Sequence, residues 1–161
     1  MILGPPGTGK SKTLVALISL LARSGKRVLI SSHSHMAVDK LFNDSEKIGV
    51  FENLQVLRYG DPSRIDQKAI KYNLKKKVYD LKKRGNLDPG LDEKAIKKAV
   101  IKSCQIVFST QISLMNDDLY EIFSQEKFDY AIIDESSQSP YMWTLMPVSV
   151  AKKIIIAGDH H

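Results

Sequence analysis

Residues Gly4–Ser11 read GPPGTGKS and fit the pattern G-x-x-x-x-G-K-[S/T], in which a glycine-rich loop wraps the phosphates of a nucleotide. Gly7 and Gly9 let the backbone approach a phosphate closely, and the amides of the loop and of the following helix point at it. Lys10 is expected to reach the β- and γ-phosphates, and the Ser11 hydroxyl is expected to bind Mg²⁺. The segment therefore predicts a site for a nucleoside triphosphate.

A second group of candidates follows the apolar run Tyr130–Ile133, which predicts a buried strand. Asp134 ends this run, where its carboxylate can hold Mg²⁺. Glu135 is placed one residue further on to orient or deprotonate an attacking water. Acidic residues often end strands, but together with the phosphate loop this pair favours hydrolysis over nucleotide binding alone.

A third strand end, Ile154–Gly158, is followed by Asp159, which lies 24 residues past Glu135. Asp159 is expected to reach the γ-phosphate and its water. The predicted catalytic residues are Glu135, Lys10 and Asp134, and the predicted metal ligands are Ser11 and Asp134. The predicted nucleotide-binding residues are Gly4, Pro6, Gly7, Thr8, Gly9, Lys10, Ser11 and Asp159.

Short apolar runs that alternate with helical stretches must bring these loops together. The predicted helices before the middle of the chain are Lys12–Ala22 and Ser34–Ile48. The predicted strands are Met1–Leu3, Arg27–Ser31, Leu54–Arg58, Gln105–Ser109, Tyr130–Ile133 and Lys153–Ala157. This order predicts an α/β fold with a mainly parallel sheet, helices on both faces, and a ligand site at the carboxyl ends of the strands.

Positive charge is concentrated in residues 66–102, which hold 12 Lys and Arg against 5 Asp and Glu, whereas the remaining residues hold 12 against 13. Apolar residues recur at helical spacing in Asp66–Arg84 and in Leu91–Ser103, and residues 85–90 (GNLDPG) predict a turn. The residues expected to face inward are Ile70, Leu74, Val78, Leu81, Leu91, Ala95, Ile96, Ala99 and Val100. Residues 66–103 are therefore predicted to form an inserted helical hairpin. Its charge either attracts phosphate backbones or only solvates an exposed helical face.

Several aromatic, histidine and cysteine residues could have a functional role or only a packing role. Tyr72 and Tyr79, seven residues apart, are candidates to stack on bases or to cover the seam of the hairpin. His33 and His35 lack Cys or carboxylate partners at metal-ligand spacing, so no zinc site is predicted. Cys104 is the single cysteine and is expected to be a core residue.

Length and composition limit the class of protein. The 161 residues suffice for one domain, and 43% apolar and 26% charged residues are ordinary for a soluble globular protein. No run of apolar residues is long enough to predict a membrane span, and the first residues lack the pattern of a secretory signal. An intracellular location is expected.

Three motifs in this order, GPPGTGKS (4–11), IIDESSQS (132–139) and IIIAGD (154–159), resemble motifs I, II and III of the superfamily 1 helicases. The similarity extends in particular to the subgroup of senataxin, the nonsense-mediated-decay helicase and the immunoglobulin mu-binding helicase. Ser34–Leu41 is similar to that subgroup's motif Ia, with His35 in place of the usual Asn, and residues 57–64 resemble the stretch that follows it. The resemblance covers nearly the whole chain except the hairpin and implies a first RecA-like domain.

The resemblance implies that ATP hydrolysis, with Mg²⁺, is coupled to movement along single-stranded RNA or DNA. The hairpin lies where the family places an accessory subdomain that covers the strand. The residues implied to contact the strand are Ser34, His35, Thr110, Lys75, Lys76 and Lys77. In the family, a second RecA-like domain brings arginine fingers to the γ-phosphate. That domain is absent from this sequence, so we expect an excerpt of a longer protein that is weak or inactive as a hydrolase and does not unwind alone.

Two alternative functions stay open at this point. The loop GPPGTGK is also common in AAA-type remodelling ATPases, although the acidic strand follows it much sooner there than the 124 residues between Lys10 and Asp134. The second alternative is a nucleotide-gated nucleic-acid-binding module without turnover, against which the intact Glu135 argues. A helicase of this kind is expected in the nucleus or cytoplasm.

Overall fold

The computed structural model describes residues 1–5, 7–84 and 92–159. Within them, six strands form one wholly parallel sheet in the order β1-β6-β5-β2-β4-β3. The strands are β1 (Ile2–Leu3), β2 (Val28–Ser32), β3 (Val56–Arg58), β4 (Ile106–Thr110), β5 (Phe128–Ile133) and β6 (Ala151–Gly158). The helices are α1 (Lys10–Arg23), α2 (His35–Lys47), α3 (Leu74–Lys83), α4 (Glu93–Ser103), α5 (Asp117–Gln125) and α6 (Tyr141–Ser149). The predicted α/β fold with a parallel sheet is confirmed.

Both faces of the sheet are covered because successive side chains of each strand point in opposite directions. Val28 and Ile30 of β2 pack with α1 and α2 on one face, whereas Leu29 between them packs with α3, α4 and α5 on the other. Ile106 and Phe108 of β4 repeat the first pattern. The strands are therefore apolar on both sides, as is typical of parallel sheets. No helix in the described part of the chain is long and apolar enough to cross a membrane.

The helix predicted over Asp66–Arg84 is wrong in its first half. Residues Gln67–Tyr72 form a 3₁₀ helix, and α3 begins only at Leu74. Asn73, between them, is extended, and its side-chain amide donates to the carbonyls of Arg58 and Gly60 at 3.2 and 3.1 Å. Its Oδ1 accepts from the backbone N–H of Lys75 at 3.0 Å and caps α3. These bonds to the end of β3 hold Asn73 out of a continuous helix.

The second helix of the predicted hairpin faces the core through different residues than expected. Ile96, Val100 and Ile101 of α4 are buried, whereas Ala95 and Ala99 are exposed, so the inward placement of the two alanines was wrong. The longer aliphatic side chains occupy the core because they remove more apolar surface from water. The predicted turn at 85–90, and Leu91 with it, lie outside the described residues.

Tyr72 and Tyr79 do not share a helical face. Tyr72 packs edge-on against Phe42 and Phe51, with ring centroids 5.1 and 5.6 Å away, and its hydroxyl donates to Glu46 at 3.0 Å. Tyr79 is exposed on α3. Tyr72 is therefore a partly buried aromatic packed against the core on the α2 side of the sheet, and neither a base platform nor a cover for the hairpin. Cys104 is buried, as predicted.

A buried ion pair joins α2 to the end of β3. The Arg58 side chain is fully buried, and its Nε donates to Asp39 Oδ1 at 2.6 Å. The second Asp39 oxygen accepts from the backbone N–H of Asp66 at 3.0 Å. Burial lowers the pKa of Arg58, and the bond to Asp39 opposes that shift. Asp39 therefore neutralises a charge that has no access to water.

We expect Asp39→Ala to lower the free energy of unfolding by about 3–5 kcal/mol, because it leaves Arg58 buried without a counter-charge. Urea unfolding followed by circular dichroism at pH 7 measures this loss. Asp80→Ala is the control, since it breaks the exposed pair with Lys76 and should cost at most about 1 kcal/mol. Equal losses in the two variants would show that Asp39 is not needed to balance Arg58.

Candidate functional site

A cavity of about 400 Å³ opens at the carboxyl ends of β1, β5 and β6. Three segments that lie far apart in the sequence meet there, because β1 and β5 are the two neighbours of β6. The predicted site residues that line the cavity are Gly7, Gly9, Lys10, Ser11, Asp134, Glu135 and Asp159. The structure thus brings together the phosphate loop, the acidic pair and the third strand end.

The loop that precedes α1 is shaped by its glycines. Gly7 and Gly9 have φ angles of +84° and +92°, and a Cβ added to either would meet no atom within 4 Å. Their backbone thus faces open space, as binding of a phosphate requires. Gly4 is different, because a Cβ there would lie 2.6 Å from Thr8 Oγ1, which donates to the Pro5 carbonyl at 2.7 Å.

Gly4 and Thr8 therefore hold the shape of the loop and are not among the residues that line the cavity. Pro6 lies outside the described residues. Lys10 begins α1, and its ammonium group donates to the backbone carbonyls of Gly4 and Pro5, the latter at 3.0 Å. The lysine is thus held over the loop, where its ammonium group and the loop amides can bind the same phosphates.

Asp134 is buried at the end of β5, with 6% of its surface exposed. Burial raises the pKa of its carboxyl group, and the nearby Glu135 charge adds to the rise. The backbone N–H of Glu135, which donates to Asp134 Oδ1 at 3.0 Å, opposes the shift, as do Lys10 and Lys40. A carboxylate that is costly to ionise here is a good candidate for a cation ligand, because a bound cation favours its charged form.

Glu135 adopts a left-handed backbone conformation, with φ of +53°, which is uncommon for a residue other than glycine. Its carboxylate lies 3.4 Å from Nδ1 of His33, which follows β2. The two meet because β2 and β5 are neighbours in the sheet. Sequence reasoning missed this contact, since nothing in the local pattern around His33 shows which strand lies beside β2.

Seven further residues that line the cavity were not among the predicted site residues: Pro5, Lys12, Lys40, Asp44, Ser137, Gln138 and Gly158. Lys40 and Asp44 lie one turn apart on α2, and their i, i+4 spacing was the available signal. Ser137 and Gln138 belong to the short 3₁₀ helix that follows Glu135. The nucleotide cavity therefore takes one wall from α2, the helix that begins beside the predicted motif Ia residues.

The residues predicted to contact a strand follow β2 and β4, two neighbouring strands. Ser34 caps α2, and its hydroxyl accepts from the backbone N–H of Ala37 at 3.2 Å. His35 Nδ1 lies 3.2 Å from a guanidinium nitrogen of Arg58, and burial together with the Arg58 charge lowers the pKa of His35. Thr110 is buried, with its hydroxyl 2.7 Å from Ser113 Oγ. Ser113 is the more accessible member of that pair.

Lys75, Lys76 and Lys77 do not form one patch, because consecutive residues of a helix point about 100° apart. Lys75 faces α4 and α5 across a cleft. Lys76 pairs with Asp80 at 2.8 Å and lies over the ring of Tyr79. Lys77 lines a different depression, on the opposite side of α3.

A glycine-rich phosphate loop, an acidic pair at the end of a neighbouring strand and a parallel sheet define a P-loop NTPase with a RecA-like fold. The chain belongs to the AAA domain family, whose model matches residues 1–88 and 63–161. The resemblance to the first domain of superfamily 1 helicases is confirmed.

Two relatives, one named as a helicase/nuclease and the other as a DNA-binding protein, match all or nearly all of the chain. The DNA replication ATP-dependent helicase/nuclease dna2 of Schizosaccharomyces pombe is 32% identical over 163 residues, which cover 100% of this chain and 10% of the relative. The DNA-binding protein SMUBP-2 of Mus musculus is 27% identical over 195 residues, covering 99% of this chain and 19% of the relative. The chain therefore spans between a tenth and a fifth of the length of these two relatives.

A solved structure shares the fold. It is a nuclease-deletion mutant of the Type ISP restriction-modification enzyme LlaGI in complex with a DNA substrate mimic. The TM-score is 0.56 at 16% identity, and the match covers 97% of this chain and 13% of that one. At this identity the similarity concerns the fold alone.

Asp129 in β5 and Asp134 directly after it should affect stability in opposite directions. The pKa of Asp134 is raised in the folded protein. Its contribution to the free energy of unfolding is therefore most favourable below its pKa in the unfolded chain, about 3.9, and is lost as the pH rises through its pKa in the folded protein. Asp134→Asn should therefore raise the free energy of unfolding at pH 7. The pKa of Asp129 is lowered by the backbone N–H of Arg27 and by Lys152. Asp129→Asn should therefore lower the free energy of unfolding at pH 7.

Urea unfolding of the ligand-free variants at pH 7, and at successively lower pH, tests this pair. The difference for Asp134→Asn should shrink as the pH falls through the raised folded pKa to the unfolded value. The difference for Asp129→Asn should persist down to the unfolded value and shrink only as the pH falls below it, through the lowered folded pKa. A loss of stability at pH 7 in Asp134→Asn would contradict the assignment of a desolvated carboxylate at the end of β5.

Proposed function

We propose that this chain is the ATP-binding and hydrolysing motor domain of a helicase that moves on single-stranded RNA or DNA. The observation that carries the proposal is the single cavity in which the phosphate loop meets Asp134, Glu135 and Asp159. Relatives named as ATP-dependent helicases support it. A relative named as a DNA-binding protein supports a nucleic-acid partner. Such a protein would act in the nucleus or cytoplasm.

In this proposal the loop amides and Lys10 bind the β- and γ-phosphates. Lys10 exchanges its two bonds to loop carbonyls for bonds to phosphate oxygens. The Ser11 hydroxyl and the Asp134 carboxylate are oxygen ligands of the kind that Mg²⁺ prefers, and both line the cavity. Mg²⁺, when bound there, neutralises charge that develops on the phosphates.

Glu135 is the proposed base. It orients a water for attack on the γ-phosphorus and takes up its proton as the bond to the β–γ bridging oxygen breaks and ADP leaves. In this proposal His33, whose Nδ1 lies 3.4 Å from the Glu135 carboxylate, helps to orient that carboxylate. Asp159 lies across the cavity, where it can hold the same water.

Helix α2 supports a link between the two proposed sites. Lys40 and Asp44 on this helix line the nucleotide cavity, whereas Ser34 and His35 at its start are the proposed strand contacts. A rigid helix that touches both ligands can transmit a shift from one to the other. Hydrolysis would therefore move the strand contacts through α2.

We expect Lys10→Ala to abolish binding of Mg-ATP by the 161-residue chain, because the loop loses the positive charge that would bind the β- and γ-phosphates. Isothermal titration calorimetry measures the affinity. Lys26→Ala is the matched control, since Lys26 is exposed at the amino end of β2. Unchanged affinity in Lys10→Ala would show that the loop is not the nucleotide site.

We expect Glu135→Gln to keep its affinity for Mg-ATP while single-turnover hydrolysis falls by about 10²–10⁴, the usual contribution of a general base. The unsubstituted chain should itself be slow, because no arginine is among the described residues that line the cavity. Phosphate release is therefore followed with the protein in excess over ATP. Equal rates in the two proteins would favour a nucleotide-gated binding module without turnover.

A further inference from the structure

A second cavity, of about 290 Å³, lies between α3, α4 and α5 at the point where β3 ends. We call it the hairpin cleft. It opens at the same edge of the sheet as the nucleotide cavity, but at the other end of the strand order, beside β4 and β3. The nucleotide site uses none of its residues.

The floor of the hairpin cleft is apolar. Leu74, Ile101, Leu119 and Ile122 contribute buried side chains to it, and Tyr59 lines one wall. A solvated helical face would be convex and polar, so charge alone does not explain this concave surface. Apolar walls with a few polar groups are the usual form of a site for a small organic group.

The rim of the cleft is positive. Four lysines line it, and Glu121 is the only acidic side chain among the described residues that do so. Lys97 pairs with Glu93 at 2.8 Å. Lys75 and Lys98 form no ion pair within 4.0 Å in the part of the chain that the structure describes, although Asp61 and Glu126, respectively, lie near enough to interact with them electrostatically. Two cations therefore flank an apolar floor, which complements a ligand with an apolar ring and an anionic group.

The cleft continues toward the proposed strand contacts. A shallower depression shares Tyr59, Gly60 and Lys75 with it and extends to Ser113, beside the end of β4. Gly60 approaches the ring of His35 so closely that an added Cβ would lie 3.1 Å from His35 Cε1. A path along the sheet edge thus runs from the end of β2, past β4, to the cleft beside β3.

We propose that the hairpin cleft holds one nucleotide of a single strand, with its base on the apolar floor and a phosphate between Lys75 and Lys98. The proposal rests on the proposed strand-binding function and adds a defined binding site for one base. The volume is at the lower limit of small-molecule sites, which suits one nucleotide and excludes a duplex. Lys77, on the same helix as Lys75, lies outside the hairpin cleft and serves as an internal control.

The test is the affinity of the 161-residue chain for a fluorescein-labelled oligothymidylate, measured by anisotropy across a range of salt concentrations. Lys75→Gln and Lys98→Gln should each weaken binding and reduce the slope of log affinity against log salt by about one. Lys77→Gln makes the same change in net charge on the other side of α3 and should leave both values unaltered. Mg-ATP affinity, measured in parallel, reports that each variant is folded.

Binding of the base in the hairpin cleft is tested with Tyr59→Leu. This variant should lose roughly tenfold in affinity for the oligothymidylate, as expected when a base loses an aromatic contact. An oligonucleotide of the same length with abasic sites should bind Tyr59→Leu and the unsubstituted chain alike. An equal loss of affinity for the oligothymidylate and for the abasic oligonucleotide would overturn the proposal that the cleft binds a base.

The outcomes separate the two proposals. If the unsubstituted chain binds the strand but all three lysine variants weaken it equally, the cleft is not the site and strand binding itself stands. If the unsubstituted chain binds no single strand, the strand-binding part of the proposed function fails, and the cleft proposal fails with it. Loss of Mg-ATP binding in Lys10→Ala remains an independent test of the nucleotide site.

Discussion

All six strands run in one direction, so the segments that follow them leave the sheet at a single edge. The nucleotide cavity depends on this constraint, because the phosphate loop, Asp134 and Asp159 come from three segments that the parallel sheet brings to one place. The direction is maintained by packing on both faces. Alternate residues of β2, β3 and β4 belong to different apolar cores, so a slip of one residue would exchange the two sets. The register that buries the cores is thus also the register that assembles the nucleotide cavity.

Several groups at this edge are held in states that cost stability. Glu135 has a left-handed backbone, Asp134 is a carboxylate removed from water, and Arg58 is a guanidinium with no exposed surface. Such features persist only where the surrounding packing determines them, and they concentrate at functional sites. The Arg58–Asp39 pair also places a charge against His35, which favours a neutral imidazole at the start of α2. The same helix forms a wall of the nucleotide cavity, so the packing of α2 affects both the nucleotide site and the proposed strand contacts.

The positively charged segment shows why the placement of charge matters more than its amount. Twelve Lys and Arg between residues 66 and 102 suggest one basic surface, but helical geometry distributes neighbouring lysines to different sides. Only some of them border a concave apolar surface, and others are neutralised by Asp80 or Glu93. A charge run therefore identifies a region that attracts polyanions, and the cleft identifies where in that region a nucleotide would fit.

The sequence by itself determined the parts of this protein whose chemistry is local. The loop around Lys10 and Ser11, the acidic pair after β5, and the periodicity of the strands depend on residues close together in the chain, and the fold class followed from their order. Only the tertiary structure decided which strands are neighbours, and with it the contact between His33 and Glu135. It also interrupts the predicted helix at Asn73, exposes Ala95 and Ala99, packs Tyr72 against the core and buries Thr110. Each of these differences has the same physical reason. Spacing along a chain sets the period of an element, whereas hydrogen bonds and burial across the sheet decide where the element starts and which of its faces is covered.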